Sequence, residues 1–124
     1  MNAIPQQNSP TTLPNLSQIV AARDQIAAHY PATAAIHWPL LSAACKAQVW
    51  VKHENHTQVG AFKGRGGMTF MQKLTRAQPN VAGVISATRG NHGQSVAFAA
   101  RAHGLAAVVV VPHGNSVEKN RAMR

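Results

Sequence analysis

Lys63 stands in the run Gly60-Ala61-Phe62-Lys63-Gly64-Arg65-Gly66-Gly67, a single amine among small residues. A lysine amine is a nucleophile only when neutral. Partial burial at a helix N-terminus, whose positive dipole end disfavours another cation, would favour that form. The glycines let backbone come close to a flat ligand. A solvated lysine that simply opens a helix would carry the same residues. A second run, Thr88-Arg89-Gly90-Asn91-His92-Gly93-Gln94, offers a hydroxyl, free backbone N–H groups and the Asn91 amide where a helix begins. That is a cradle for an oxyanion or a carboxylate. An ordinary cap through Thr88 or Asn91 uses the same residue types.

Other chemistries find less support. No Gly-x-x-x-x-Gly-Lys-Ser/Thr run is present, and no Gly-x-Gly-x-x-Gly joins a first strand to its helix. Of seven histidines, His53 and His56 are three apart, with only Glu54 nearby and no cysteine pair, so no metal site is expected. Cys45, the one cysteine, has no basic partner in sequence and is expected to be a small buried apolar residue. It cannot form an internal disulfide, which fits a reducing, cytoplasmic setting.

The 124 residues are enough for one ordinary domain with a core, and 45% are hydrophobic. No run approaches the apolar length of a membrane span, so no membrane partner is expected. The first residues carry neither a secretory nor a transit signal. Twelve Lys and Arg against three acids give a net charge of +9. The basic residues are dispersed and aromatics are 5%, which argues against nucleic acid as a partner. A positive field favours a small anionic ligand such as a phosphate ester.

The elements that must hold the two runs follow from periodicity. Residues 1–14 hold three prolines and form a polar, disordered arm. A helix is expected from Asn15 or Ser17 to Tyr30, stopped by Pro31. Residues 34–41, with Pro39 inside, form an edge strand or extended connection. A strand is expected over 48–52, then a loop to Gly60. A helix runs from Lys63 or Gly64 to about Arg76, with Met68, Met71 and Leu74 on one side. A strand over 81–87 and a helix from Asn91 to His103 follow, with Gly104 as the stop. Residues 106–111 are a β-branched run, as in a parallel strand covered on both faces. Ser116 caps a last helix. Three strands alternating with helices predict a parallel sheet, with both chemical runs outside the carboxyl ends of its strands, where ligands bind in open α/β sheets.

In this order, the stretches resemble the fold-type II pyridoxal-phosphate enzymes of the threonine/serine dehydratase branch. The likeness runs from Leu16 to Arg124. It rests on Trp38-Pro39-Leu40-Leu41, Val49-Trp50-Val51-Lys52-His53-Glu54-Asn55, Gly60 to Gly66, Ser86 to Gln94, and Val110-Val111-Pro112 with Lys119. The resemblance implies a three-layer αβα fold with a mostly parallel sheet, tryptophan synthase β-like and incomplete here. It implies pyridoxal 5'-phosphate as cofactor, with Lys63 forming the Schiff base, Phe62 beside the pyridine ring and Asn91 on the ring hydroxyl oxygen. Thr88, Gly90, Asn91 and His92 would hold the substrate carboxylate. The reaction implied takes a β-hydroxy amino acid of the threonine or serine type to a 2-oxo acid and ammonia. The freed lysine takes the Cα proton and the cofactor acts as electron sink. The Gly-Asn-His-Gly-Gln form looks like dehydratases rather than cysteine synthases, which carry threonine where His92 stands.

Two positions depart from the common pattern. Ala61 replaces the more usual serine. Arg89 stands where many relatives have a small or hydroxyl residue; serine racemases use a hydroxyl there, so racemisation is not expected. Arg89 could pair instead with a second substrate carboxylate, as in a hydroxyaspartate-type substrate. The family's members are more than twice as long, and their second glycine-rich loop, which holds the cofactor phosphate, is not among these residues. The expectation is therefore an N-terminal portion, inactive alone, of an enzyme that is a homo-oligomer at full length. Its parts are an arm (1–14), a helix and connection toward a large domain (15–47), and a βαβ small-domain portion (48–124). The alternative is a non-catalytic remnant or binding domain of the same fold.

Overall fold

The computed structural model describes residues 13–124, so the arm expected over 1–14 lies outside them apart from Leu13 and Pro14. Helix α1 covers Leu16–Ile26. Asn15 caps it reciprocally: its Oδ1 accepts from the Gln18 N–H at 2.9 Å, and Gln18 Oε1 accepts from the Asn15 N–H at 2.9 Å. Such a cap is worth about 1 kcal/mol. The helix stops four residues before the expected Tyr30. Pro31 restricts Tyr30, and a turn at residues 27–30 swings the Tyr30 ring into the core instead.

The region expected to be an edge strand splits in two. Strand β1 is Ala35–His37, and helix α2, Pro39–Cys45, begins at the proline. Pro39 starts a helix rather than breaking a strand because its missing N–H would have no helical partner at that position. None of the α2 residues is buried, and Cys45 is exposed, against the buried position expected for it. Strand β2, Trp50–Lys52, pairs antiparallel with β1, Ala35 opposite Lys52 and His37 opposite Trp50. Trp38 N–H to Val49 O at 3.0 Å and His53 N–H to Ala34 O at 2.9 Å extend the ladder at both ends. This strand therefore lies outside the parallel sheet in which it was expected. Alternation along a strand is blind to its partner, and a short excursion through α2 returns the chain to β1.

Strand β3, Gly83–Ala87, and strand β4, Ala106–Val110, form the parallel pair, in register from Gly83 opposite Ala106 to Ala87 opposite Val110. Helix α3, Lys63–Ala77, and helix α4, Asn91–Ala102, pack on each other, and α4 also lies on the sheet. The core between them holds Met68 and Met71 of α3 and Val96, Ala99 and Ala100 of α4, joined by Ile26 and Tyr30. Close approach of the helices depends on Gly67. A methyl there would come within 3.1 Å of the Ser95 carbonyl oxygen and 3.3 Å of the Ala99 methyl. Tyr30 meets Phe98 edge to face, with centroids 5.8 Å apart. A short helix α5, Val117–Ala122, closes the described chain, and Ser116 caps it as expected.

The sheet is covered on one face only, against the two-sided cover expected for β4. Ile85 is 73% exposed, Val108 55% and Val110 50%. These three share the face opposite α4, and no helix among the described residues packs there. The apolar stripe of α1 is also bare, with Leu16 and Ile19 exposed. No helix among the described residues is long and apolar enough to cross a membrane.

Candidate functional site

The second run sits at the strand-to-helix corner between β3 and α4, whereas the first lies where the loop after a 3₁₀ turn over Glu54–His56 enters α3, past β2 and so not outside the carboxyl end of a parallel strand as expected. Lys63 is the first residue of α3, preceded by Phe62 in helical conformation. Among the described residues its side chain makes no hydrogen bond or ion pair. It is exposed, so the partial burial expected for it is absent. Phe62, 65% exposed, stands beside it. Both line a cavity of about 580 Å³ with Gly66 and Phe70 of the α3 segment. Val84, Ile85 and Ser86 of β3 form another wall, and His92, Ser95 and Val96 of α4 the third. The fold thus brings Phe62, Lys63 and His92 to one space.

The second corner lies at the end of β3. Thr88 continues the ladder through its N–H to Val110 O at 2.9 Å, and its Oγ1 accepts from the Gly90 N–H at 3.3 Å. Gly90 is the N-cap of α4, and no side chain caps that helix. Neither Thr88 nor Asn91 plays the capping role that would have made this an ordinary helix start. Gly93 and Gln94 donate to Gly90 O, while the N–H groups of Asn91 and His92 have no partner among the described residues, at the positive dipole end of the helix. Thr88 and Gly90 are half-buried, while Arg89 and Asn91 are exposed. These four do not line the Phe62–Lys63 cavity; they flank it one step away, next to His92. Lys119 of α5 reaches this corner, its Cδ 3.4 Å from where a methyl on Gly90 would stand. Arg89 makes no ion pair among the described residues.

A third group was not picked out from the sequence. The Arg65 guanidinium pairs with Glu54 through two hydrogen bonds, Nε to Oε2 at 2.8 Å and Nη2 to Oε1 at 3.1 Å. It also donates to the carbonyls of Tyr30 and Pro31 and lies 5.1 Å from the centre of the Tyr30 ring. Thr33 Oγ1 donates to Glu54 at 2.7 Å. Arg65 holds the Glu54 carboxyl below the usual carboxylate range, against burial that pushes it up; Thr33 and the charge of Lys52 act in the same direction as Arg65. One signal was available: in a chain with three acids, the carboxylate in the loop before the lysine run had a high chance of being paired.

His53 and His56 stack with centroids 5.5 Å apart. No group of three or more His, Cys, Asp or Glu among the described residues is placed to hold a metal ion.

A free amine beside an aromatic ring, with an uncapped helix N-terminus next to it, defines a site for a planar carbonyl-bearing anion. The family described as pyridoxal-phosphate dependent enzymes matches residues 26–124, and the chain belongs to it. It is 38% identical over 84 residues to the biosynthetic L-threonine dehydratase of Haemophilus influenzae, covering 68% of this chain and 16% of that one. It is 32% identical over 100 residues to the L-threo-3-hydroxyaspartate ammonia-lyase of Saccharomyces cerevisiae, covering 81% of this chain and 30% of that one. A crystal structure of a pyridoxal 5'-phosphate-dependent aspartate racemase superposes with a TM-score of 0.82 at 30% identity, over 93% of this chain and 36% of that one. The α/β fold is that of the fold-type II enzymes of this family. The chain spans less than a third of the length of either curated relative.

Proposed function

We propose that this chain supplies the lysine-bearing part of the active site of a pyridoxal-phosphate dependent dehydratase, an ammonia-lyase acting on a β-hydroxy amino acid of the threonine or serine type. The observation that carries the reading is the unpaired Lys63 amine in one cavity with Phe62 and His92. These residues fit the cofactor: Lys63 Nζ would hold its aldehyde carbon, Phe62 would lie against its ring and Asn91 would face its ring hydroxyl. When bound, the cofactor withdraws electrons from the substrate's Cα and makes the proton there acidic.

Lys63, released by the substrate's amine, would take that proton on Nζ. Thr88, Gly90, Asn91 and His92 would hold the substrate carboxylate at the uncapped start of α4, where free N–H groups and the helix dipole favour an anion. Residues 48–124 are read as small-domain portion and 15–47 as the link to a further domain. The partner is an amino-acid substrate, and the full-length enzyme is read as a homo-oligomer. The 124 residues contain no second glycine-rich loop for the phosphate, so by themselves they should bind the cofactor weakly and lack activity.

Reductive trapping tests the reading. A complete enzyme carrying this segment is mixed with pyridoxal phosphate, reduced with borohydride and mapped by mass spectrometry. Label should appear on Lys63 ahead of Lys46, Lys52, Lys73 and Lys119, and Lys63→Ala should remove the preferred site. An even spread over the five lysines would sink the proposal.

A second reading concerns the substrate. Arg89 is exposed and, among the described residues, unpaired beside the proposed carboxylate cradle, and one similar protein is a hydroxyaspartate ammonia-lyase. On this reading Arg89 would meet a second carboxylate, and the substrate would be of the hydroxyaspartate type.

A further inference from the structure

We infer that Tyr30, Glu54 and Arg65 are positioning residues for Lys63: they grip the back of its corner and so turn its amine to the cavity. The inference rests on the reading of Lys63 given above. The residues on both sides of Lys63 are held by this group, with Thr57 as the link between Ala61 and Glu54. On the N-terminal side, the Tyr30 hydroxyl donates to Ala61 O at 3.2 Å, and the Ala61 N–H donates to Thr57 Oγ1 at 3.1 Å. Thr57 in turn donates to Glu54 O at 2.8 Å. On the C-terminal side, Arg65 is tied to Glu54 and to the carbonyls of Tyr30 and Pro31. Gly64, between them, lies so close to the Tyr30 hydroxyl that a methyl would run into it.

Helix geometry gives the grip its direction. Residues two apart on a helix point about 200° away from each other. With Arg65 drawn toward Tyr30 and Glu54, Lys63 must face the opposite side, where Phe62, Gly66 and the start of α4 open into the cavity. The parts come from far apart in sequence. Tyr30 enters from the turn after α1, Glu54 from a 3₁₀ turn over Glu54–His56, and Arg65 from α3. The grip is charge-assisted, two-pronged and half-buried, which fixes orientation better than a single exposed pair. Among the described residues the Lys63 side chain makes no hydrogen bond or ion pair to hold its direction, so its orientation is inherited from residues 61, 64 and 65.

The same trapping assay separates this inference from the one it rests on. Arg65→Ala, Glu54→Gln and Tyr30→Phe are compared with the wild-type enzyme at matched helix content, as read by circular dichroism. Label on Lys63, relative to Lys73 on the far part of the same helix, should fall by about tenfold in Arg65→Ala, since a displacement near 1 Å has effects of that order or larger. Arg65→Lys should not restore it, because an ammonium cannot make the two-pronged contact. A purely structural role would lower the melting temperature and leave the Lys63-to-Lys73 ratio of the folded protein unchanged, and that result overturns the inference. If Arg65→Ala does not fold, Tyr30→Phe, which keeps the ring and removes one hydroxyl, decides it by the same ratio. A wild-type enzyme without Lys63 preference would instead remove the underlying reading, and the inference with it.

Discussion

Arg65 and Glu54 face each other through two parallel hydrogen bonds of 2.8 and 3.1 Å, two residues beyond Lys63 on one side and nine before it on the other. The ion pair spans the loop that leads into α3, so that loop is closed at both ends before the corner begins. Arg65 shows 27% of its side chain and Glu54 15%, so solvent screens the pair less than a surface contact. Seven arginines and five lysines compete for three carboxylates in this chain, and Glu54 takes contacts from two of them.

Acid should loosen this corner. Glu54 is held below its usual range chiefly by the hydrogen bond from Arg65. A carboxyl whose folded value is depressed contributes stability that is present above its unfolded value, about 4.3, and lost as pH falls through the folded one. The melting temperature should therefore drop as pH falls below about 5. Glu54→Gln should flatten that drop and cost about 1.5–3 kcal/mol near neutrality, the usual worth of hydrogen bonds to a charged group. Thermal melts of both chains across this range check it; equal acid sensitivity would remove Glu54 as the cause.

Two glycines in α3 should respond in opposite directions. Gly66 has open space where a methyl would go, and Gly64 has the Tyr30 ring there. Gly66→Ala should stabilise the chain by up to about 1 kcal/mol, from helix propensity and a less flexible unfolded chain. Gly64→Ala should destabilise it by about 1–3 kcal/mol, because buried Tyr30 must shift or lose its bond to Ala61. Denaturant titration measures both. Gly66 also lines the cavity, so its alanine variant should trap less cofactor on Lys63 despite its added stability.

Local signals carried much of the fold. Asn15 and Ser116 are caps, Met68 and Met71 line one buried face of α3, and residues 83–87 and 106–110 pair in parallel as the alternation of strands and helices suggested. Long-range choices were harder to read. The run at 50–52 looks alike beside either neighbour, and its pairing with Ala35–His37 depends on the path of α2. Cys45 is apolar by type, yet it ends a helix that nothing among the described residues covers. The two chemical runs were legible because both are dense in glycine where a helix begins. Tyr30, Glu54 and Arg65 were not, since a contact across 35 residues leaves no local period.

The bare face of the sheet should govern solution behaviour. Ile85, Val108 and Val110 lie together on it, and Leu16 and Ile19 are separately exposed on α1. Contiguous exposed apolar surface promotes association. The 124-residue chain should self-associate and bind a hydrophobic dye, and replacing Ile85 and Val108 together by Thr should reduce both while β-branching preserves the strands. Light scattering and dye fluorescence give the readout. Dye binding unchanged by the double variant would place the association surface elsewhere, with α1 the next to vary.

Arg89 offers the sharpest test of substrate. Its neighbours Thr88 and Gly90 are tied down by hydrogen bonds, while its own side chain is exposed and unpaired among the described residues. A second carboxylate on the substrate would gain a charge-assisted contact there, roughly 1.5–3 kcal/mol. In a complete enzyme carrying this segment, Arg89→Ala should lower kcat/KM for a hydroxy dicarboxylic amino acid by about 10- to 100-fold. For threonine, which has no second carboxylate, the change should stay within about threefold. Arg89→Lys should recover part of the loss, because a point charge keeps the attraction and loses the two-pronged geometry. An equal fall for both substrates would assign Arg89 to the shared carboxylate cradle, and no change for either would leave it a solvated surface residue.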